Sequence, residues 1–274
     1  AQFIFGAIGA SYVGFTFSLN PILHVVLVLL VAILFGGLYG GLVGVLKAKT
    51  GAHEVIVTIM LNYIAALFIL WLLKTSLFLR PGRLDPIAPE VNPSAQLPKL
   101  FGENLRIHSG IILAILATIF VAWLLKTSTL GFKFRAVGSN ASAARTAGIS
   151  VPFVTTSTMF ICGGLAGLGG AIHLIGTEYA LGAGIAGSLG FDAITVALLG
   201  QATPIGTLFG ALLFGALQTG SRTLLSNTGT SPDIVQVIQA LIVLFIAAPT
   251  LMKTIFRIKK NLNDKSMAAK GWNG

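Results

Sequence analysis

The chain has 274 residues, of which 55% are hydrophobic and only 9% are charged, and its mean hydropathy is +0.89. A soluble domain carries roughly 25% charged residues, so this composition excludes an ordinary soluble domain. The formal net charge is +10, but the basic residues flank apolar segments. We therefore interpret them as topology signals and do not expect the chain to bind nucleic acid.

The apolar segments predict an all-α, polytopic transmembrane bundle. The first residues, 1–15, are apolar but shorter than the ~20 residues that cross a bilayer, and we expect them to be the end of an earlier transmembrane helix. Uncharged runs of spanning length predict six helices, at 22–46, 54–73, 109–125, 153–174, 204–224 and 233–250. The bundle then has about seven crossings if the short run 191–200 also counts as one.

The run 191–200 leaves two structures open. It is either a half-helix or re-entrant segment, or a tilted span that continues into the next helix through the break at Pro204 and Gly206.

The charges predict which loops face the cytoplasm, because cytoplasmic loops collect Lys and Arg. If the helix at 22–46 runs from outside to inside, the inside holds 12 Lys or Arg residues and two acids, and the outside holds six of each. This assignment divides the chain into a transmembrane domain, 1–250, and a basic cytoplasmic tail, 251–274. The tail is inside if 191–200 is a crossing.

Two long loops differ in composition. The loop 74–108 contains five prolines and mixed charge, which predicts an ordered or semi-ordered external loop. The loop 126–152 carries four basic residues and no acid. Its sequence ASAARTAG follows the cap candidates Ser139 and Asn140, so we expect a short amphipathic helix on the cytoplasmic side.

Glycines recur at helical spacing in two predicted spans. Gly36, Gly40 and Gly44 lie four residues apart in the first span, and Gly163 and Gly167 lie four apart in another. Small residues on one face let two helices approach closely in lipid. We expect these five glycines to pack helices, the alternative being a direct part in a substrate path.

Polar residues within the spans are candidates for a substrate path, because they are costly in lipid. Thr58, Asn62 and Tyr63 lie in the 54–73 helix, where they would line a path, contact another membrane subunit, or only bond neighbouring helices. Gln218 is equally compatible with binding sugar hydroxyls or base edges and with joining helices.

The sequence contains no recognisable catalytic machinery. It lacks the Gly-rich phosphate loop of ATPases, so we do not expect this chain to hydrolyse ATP. We find no metal-ligand spacing of His, Cys and carboxylates and no catalytic residues, and we expect no cofactor or metal in this chain.

Three segments carry a resemblance to a known family. RAVGSNASAARTAGISV, beginning at Arg135, resembles the cytoplasmic coupling segment of ABC-importer permeases for simple sugars, nucleosides and branched-chain amino acids. KAKTGAHEVIVTIMLNYIA, beginning at Lys47, is similar to the nucleoside-permease variant, with His53 where Asn is frequent. GFDAITVALLGQATPIGTLFGALLFGAL, beginning at Gly190, matches a third family pattern. Together the matches extend over most of residues 20–250, although the family's usual first helix or two are missing.

The resemblance implies a subunit of a larger importer in a bacterial plasma membrane. It implies partners: an ABC ATPase that binds ATP and Mg, a second permease forming a heterodimer, and an extracytoplasmic substrate-binding protein, all acting with membrane lipid. It also implies that five residues form or support the helix that docks on the ATPase: Asn140, Ala144, Arg145, Gly148 and Ile149.

The expected substrate is a nucleoside, moved by alternating access. Aromatic residues such as Tyr63 and Phe191 would stack on a base. The first alternative is a simple-sugar permease. The second, an ion-coupled carrier or membrane-embedded enzyme, predicts ionisable residues at mid-membrane, whereas Asp192 and Glu178 are expected at helix ends.

Overall fold

The structure, a computed structural model, describes residues 1–82, 85–100, 102, 107–229, 231 and 233–247. It divides the chain into two compact units, residues 1–190 and 191–274. The predicted basic tail at 251–274, and the last three residues of the helix predicted at 233–250, lie outside the described residues.

The first unit is a helical bundle with long and short helices. In chain order its helices are α1 (Gln2–Thr16), α2 (Pro21–Thr50), α3 (Glu54–Leu72), α4 (Gly110–Thr127), α5 (Thr129–Ser139), α6 (Ala141–Thr146) and α7 (Val151–His173). A π-helical turn, Leu174–Glu178, continues α7. The apolar first residues form α1, a helix of 15 residues within the described chain.

The second unit contains the remaining helices. α8 (Leu189–Leu199) starts at the boundary, and α9 (Pro204–Thr228) and α10 (Asp233–Ala247) follow it. Within the described residues, four helices are long and apolar enough to cross a membrane: α2, α3, α4, and α7 with its π-helical turn. They correspond to four of the six predicted spans, and the total of about seven crossings remains a prediction.

A small antiparallel sheet interrupts the otherwise helical fold. β1 (Ile87–Glu90) pairs with β2 (Ala180–Gly182), with Ile87 opposite Gly182. The sequence did not predict this sheet, because the two strands are short and lie about 90 residues apart, where no local pattern indicates pairing.

The core of the first unit lies where α1, α2 and α7 cross. Ala7 and Ala10 of α1, Ala32 of α2 and Ala171 of α7 are completely buried. Their small side chains let three backbones approach closely, so α1 is a central element of this unit despite its short length.

The 74–108 segment forms hydrogen bonds with the ends of α1 and α7. The side-chain amide of Asn92 donates to the carbonyl oxygen of Phe17 at 2.7 Å, and the backbone N–H of Leu97 donates to Ile175 at 3.0 Å. Because these bonds satisfy backbone groups at the ends of α1 and α7, the segment closes one end of the bundle.

The 126–152 segment contains two helices where the sequence predicted one. α6 follows Asn140, whose side-chain oxygen accepts the N–H of Ala143 at 3.0 Å, so Asn140 is its N-cap. The prediction was incomplete before that point, because α5 ends at Ser139, which is therefore not a cap of α6. α5 contains Gly131 and Gly138, and glycine weakens the helical signal in a sequence.

Candidate functional site

All five predicted packing glycines lie at the crossing of α2 and α7. A Cβ atom added to Gly36 would lie 2.7 Å from the Cα atom of Gly167, and one added to Gly40 would lie 2.9 Å from that of Gly163. At Gly44 an added Cβ would lie 2.7 Å from the backbone of α7. The two helices are therefore in backbone contact along three turns, at a separation that only glycine permits.

The polar residues of α3 are not gathered into one site. Thr58 is half-buried, and its hydroxyl donates to the carbonyl oxygen of Val55 in the same helix at 3.0 Å. Asn62 is exposed and accepts a hydrogen bond from the nitrogen of Ala1 at 2.6 Å. Tyr63 is 67% exposed. Asn62 and Tyr63 are thus presented on the surface of this unit.

An aromatic cluster that the sequence did not indicate lies between α1, α2 and α3. The ring of Phe5 stacks on Tyr39 at 4.0 Å between centroids and on Phe68 at 5.4 Å. The hydroxyl of Tyr39 donates to the carbonyl oxygen of Leu61 at 2.8 Å. A cavity of about 290 Å³ adjoins Phe5 and Tyr39. These contacts join different helices, so no sequence spacing could have revealed them.

The chain reverses direction between α8 and α9. Gln201 and Ala202 form the turn with φ values of 52° and 53°. An added Cβ at Gly200 would lie 2.6 Å from the Cα atom of Thr207, and one at Gly210 would lie 3.1 Å from the carbonyl oxygen of Val196. The two helices therefore form an antiparallel hairpin.

The hairpin bears on the two structures left open for residues 191–200. α8 has 11 residues, which at 1.5 Å per residue is about 16 Å, roughly half of a bilayer's hydrocarbon core. It has the length of a half-helix and folds back on α9. The left-handed turn reverses the chain before α9 begins, which favours the half-helix over a tilted span continuing through Pro204, and whether 191–200 crosses the membrane stays a prediction.

One predicted path residue, Gln218, bonds an acid at the open end of this hairpin. The side-chain amide of Gln218 donates to Oδ2 of Asp192 at 3.3 Å. The neighbouring Phe191 is 80% exposed. The sequence analysis assigned no role to Asp192, because a charge at the end of a helix needs no function. The hydrogen bond from Gln218, 26 positions away, is visible only in the fold.

A further carboxamide is buried in the second unit. Gln239 of α10 is only 6% exposed, and its Nε2 has no hydrogen-bond partner among the described residues. A buried amide is costly when unpaired, so Gln239 is a polar feature of α10 that apolar packing does not explain.

The five residues predicted to couple to an ATPase lie in and around a compact capped helix. Ala144 is buried, and its carbonyl oxygen accepts the N–H of Ile149 at 3.0 Å. Gly148 has φ of 79°, in the left-handed region that glycine adopts without strain, and thereby ends the turn after α6. Arg145 is exposed, and no acid is present from 126 to 152. The segment thus presents positive charge on a short, well-terminated helix.

Two histidines fix the other end of the bundle. His24 is completely buried; its Nε2 lies 3.1 Å from the carbonyl oxygen of Val13 and its Nδ1 lies 2.8 Å from Oγ of Ser94. His108 accepts the N–H of Gly110 on Nδ1 at 3.1 Å. Burial holds the pKa of His108 below its ordinary value. Both rings therefore join the 74–108 segment to the helices.

The described residues contain no group of three or more His, Cys, Asp and Glu side chains that could hold a metal ion. The absence of a metal site in this chain remains an expectation.

Comparison with known proteins identifies the family. A family model described as "Branched-chain amino acid transport system / permease component" matches residues 1–247. The guanosine ABC transporter permease protein NupP of Bacillus subtilis is 37% identical over 265 residues, covering 94% of this chain and 75% of that protein. The nucleoside ABC transporter permease protein NupB of Lactococcus lactis is 36% identical over 219 residues, covering 77% and 60%.

A more distant relative has a different substrate in its name. The glucose ABC transporter permease protein TsgB13 of Haloferax volcanii is 29% identical over 261 residues, covering 92% of this chain and 68% of that protein. No solved structure matches the chain.

Proposed function

The chain belongs to the family of branched-chain amino acid transport system permease components, and we propose on that basis that it translocates nucleosides as the membrane subunit of an ABC importer. The proposal of a nucleoside as the substrate rests on the similarity of this chain to two permeases named for guanosine and for nucleosides, at 37% and 36% identity. It is a transport component, and ATP hydrolysis belongs to a separate subunit.

The proposed importer contains three further kinds of protein. An ABC ATPase would bind ATP and Mg, a second permease would complete a heterodimer, and an extracytoplasmic protein would deliver the substrate. The proposed location is a bacterial plasma membrane, which the chain crosses several times. The excess of basic residues in the 126–152 segment supports placing α5 and α6 on the cytoplasmic side.

The coupling step would act through α6. Arg145 is exposed on this helix, and Asn140 and Gly148 fix its two ends. A short, rigid, basic helix is suited to docking in a groove of a soluble partner. Because only four residues separate α6 from α7, a displacement of α6 by the ATPase would be passed directly to α7.

The proposed substrate path uses residues that would satisfy a nucleoside. In the first unit, Tyr63 exposes an aromatic face for stacking, and Thr58 and Asn62 offer a hydroxyl and an amide group. In the second unit, taken by itself, Phe191 exposes an aromatic face and Gln218 offers an amide group. A simple sugar is the second candidate substrate, favoured by the similarity to the glucose permease TsgB13 over 92% of the chain.

Uptake measurements would test the function. Cells carrying the full-length permease, its partner permease, its ATPase and its binding protein would be compared with cells lacking only this permease, using radiolabelled guanosine, adenosine, glucose and ribose. Nucleoside uptake that requires both this chain and an active ATPase is expected. Uptake of sugars alone would show that the substrate is a sugar and not a nucleoside. Uptake without any active ATPase would refute the proposal that the chain belongs to an ATP-driven importer.

A charge-reversal pair would test the coupling role. Arg145→Glu is expected to abolish most nucleoside uptake while ATP hydrolysis and assembly of the complex persist, because the reversed charge would oppose docking. Lys49→Glu, an equally exposed charge at the end of α2, is the matched control and should retain uptake. Full transport by Arg145→Glu would remove this residue from the coupling surface.

A further inference from the structure

Two adjoining cavities of the first unit lie between α4 and the neighbouring helices α2 and α7. One, of about 390 Å³, lies where α2 and α4 begin and is also lined by the 96–98 segment. The other, of about 510 Å³, lies further along the helices and is lined by α2, α4 and α7. Leu29 of α2 and Leu113 of α4 line both cavities, which therefore form one continuous groove. We call it the α4 groove.

The wall of the α4 groove changes in polarity along its length. Every residue that lines the second cavity is Leu, Ile, Phe, Ala or Gly. The first cavity is also mainly apolar, but Gln96 and Ser109 add a carboxamide and a hydroxyl to its wall. Polarity thus falls from the end where α2 and α4 begin towards the middle of the helices. A phospholipid has the same profile, with a polar head group at the membrane surface and an apolar chain below it.

The groove has the length of one leaflet of a bilayer. Along α4 it extends from Ser109 to Phe120, which at 1.5 Å per residue is about 16 Å. Along α2 it extends from Pro21 to Ile33, or about 18 Å. One leaflet accounts for about 15 Å of the ~30 Å hydrocarbon core, and a spanning helix would need a groove about twice as long. The length therefore fits an acyl chain of one leaflet and not a further transmembrane helix.

We propose that the α4 groove binds an acyl chain of a membrane phospholipid, whose head group lies beside Gln96 and Ser109. Packed protein leaves few voids larger than a water molecule, and apolar cavities of this size stay free of water, so hydrocarbon is the filling that a membrane supplies. The exposed Lys99, whose backbone pairs with His108, brings a positive charge to the head-group end. The acyl chain packs between the helices whatever substrate the importer carries.

Photolabelling of the complete importer would test the site. The complex is reconstituted in liposomes of phosphatidylethanolamine and phosphatidylglycerol with a trace of a phosphatidylcholine that carries a diazirine in one acyl chain. It is then washed in detergent to remove loosely held lipid, irradiated, and analysed by mass spectrometry of its peptides. Label is expected on Leu116 and Phe120, which line the groove and are 55% and 49% exposed. Ile115 and Ile119 of the same helix are 40% and 58% exposed but line neither cavity, and should carry little label.

A matched pair of variants would test the space itself. Ala117 lines the groove, whereas Ala114, one turn earlier on α4, does not. Ala117→Phe places a ring in the groove and should lower the retained label at least about fivefold, while Ala114→Phe should leave it within about twofold. Phospholipid added back to the washed complex should raise the Tm of the wild type and of Ala114→Phe but not that of Ala117→Phe, because bound lipid stabilises only a protein that binds it. If Ala117→Phe does not assemble, the labelling pattern of the wild type decides.

Three outcomes would overturn the lipid site. Equal labelling of Leu116 and Ile115 would mean that the groove holds lipid no more tightly than the rest of the surface of α4. Absence of retained label would mean that the groove holds no acyl chain. A bifunctional cross-link from Leu116 to another helix of the importer would assign the groove to protein. These measurements do not depend on the transported substrate, so a failure of the lipid site and a failure of the proposed function are distinguishable.

Discussion

The glycine crossing of α2 and α7 gives a prediction whose magnitude follows from the structure. In Gly36→Ala the new Cβ would lie 2.7 Å from the Cα atom of Gly167. Ordinary contact begins near 3.4 Å, and the carbonyl oxygen of Gly163 lies closer still to the new Cβ, so the helices would have to separate locally by at least about 0.7 Å. Overpacking of this kind costs about 1–3 kcal/mol.

Part of that cost is offset within the helix. Alanine is more favourable than glycine in a helix by about 1 kcal/mol. The atoms that obstruct the new methyl group belong to the α7 backbone and cannot move aside as a side chain does. We therefore expect the upper part of the range to apply and a net loss in the free energy of unfolding of about 1–2 kcal/mol.

Thermal stability of the purified complex in detergent would measure this loss. At about 2–4 °C per kcal/mol, Gly36→Ala should lower the temperature at which half of the monodisperse protein is lost by roughly 2–8 °C. The control is Gly215→Ala in α9, where an added Cβ meets nothing within 4 Å, and which should be neutral or slightly stabilising. Equal behaviour of the two variants would refute the close approach of α2 and α7.

Three further changes have defined outcomes. Asn140→Ala removes the cap of α6 at a cost of about 1 kcal/mol. It should lower the amount of nucleoside imported per ATP hydrolysed while the complex still assembles, and an unchanged amount per ATP would contradict the coupling role of α6. His24→Ala removes a completely buried ring together with its contacts to the carbonyl oxygen of Val13 and the hydroxyl of Ser94. It should destabilise the chain by about 2–4 kcal/mol, measured as a lower Tm. Burial lowers the pKa of His108, so the folded state favours the neutral ring. The stability that the neutral ring contributes is fully present above the unfolded pKa of about 6.5 and is lost as the pH falls below that value. His108→Gln should therefore reduce the drop in Tm between about pH 7.5 and 5, and an equal drop in both proteins would exclude this histidine.

The long helices could be predicted because their signal is local. An uncharged apolar run defines a spanning helix without reference to the rest of the chain, and the predicted 54–73 helix is observed at Glu54–Leu72. The cap at Asn140 was also predictable, because a capping side chain acts within three residues of itself and accepts from Ala143 here.

The remaining features depend on contacts between distant parts of the chain. The pairing of β1 with β2 and the stacking of Phe5 on Tyr39 join segments whose spacing has no regular period. The bond between Asp192 and Gln218 requires the chain to reverse at Gln201 and Ala202. Neither position is a glycine or a proline, the residues that most strongly predict a turn. The sequence thus pointed to Phe191 and Gln218 as candidates, but the part of Asp192 depends on the fold.

α7 connects both ends of the first unit, and this makes it the element through which coupling would act. It begins four residues after α6, contacts α2 through the backbone of Gly163 and Gly167, and continues through its π-helical turn into β2, the partner of β1 in the 74–108 segment. Because backbone-to-backbone contacts are not continuously deformable, a force on α6 would move α7 and α2 as one body. A π-helical turn is a common place for a helix to bend, so motion would concentrate at Leu174–Glu178, next to the segment that closes the bundle.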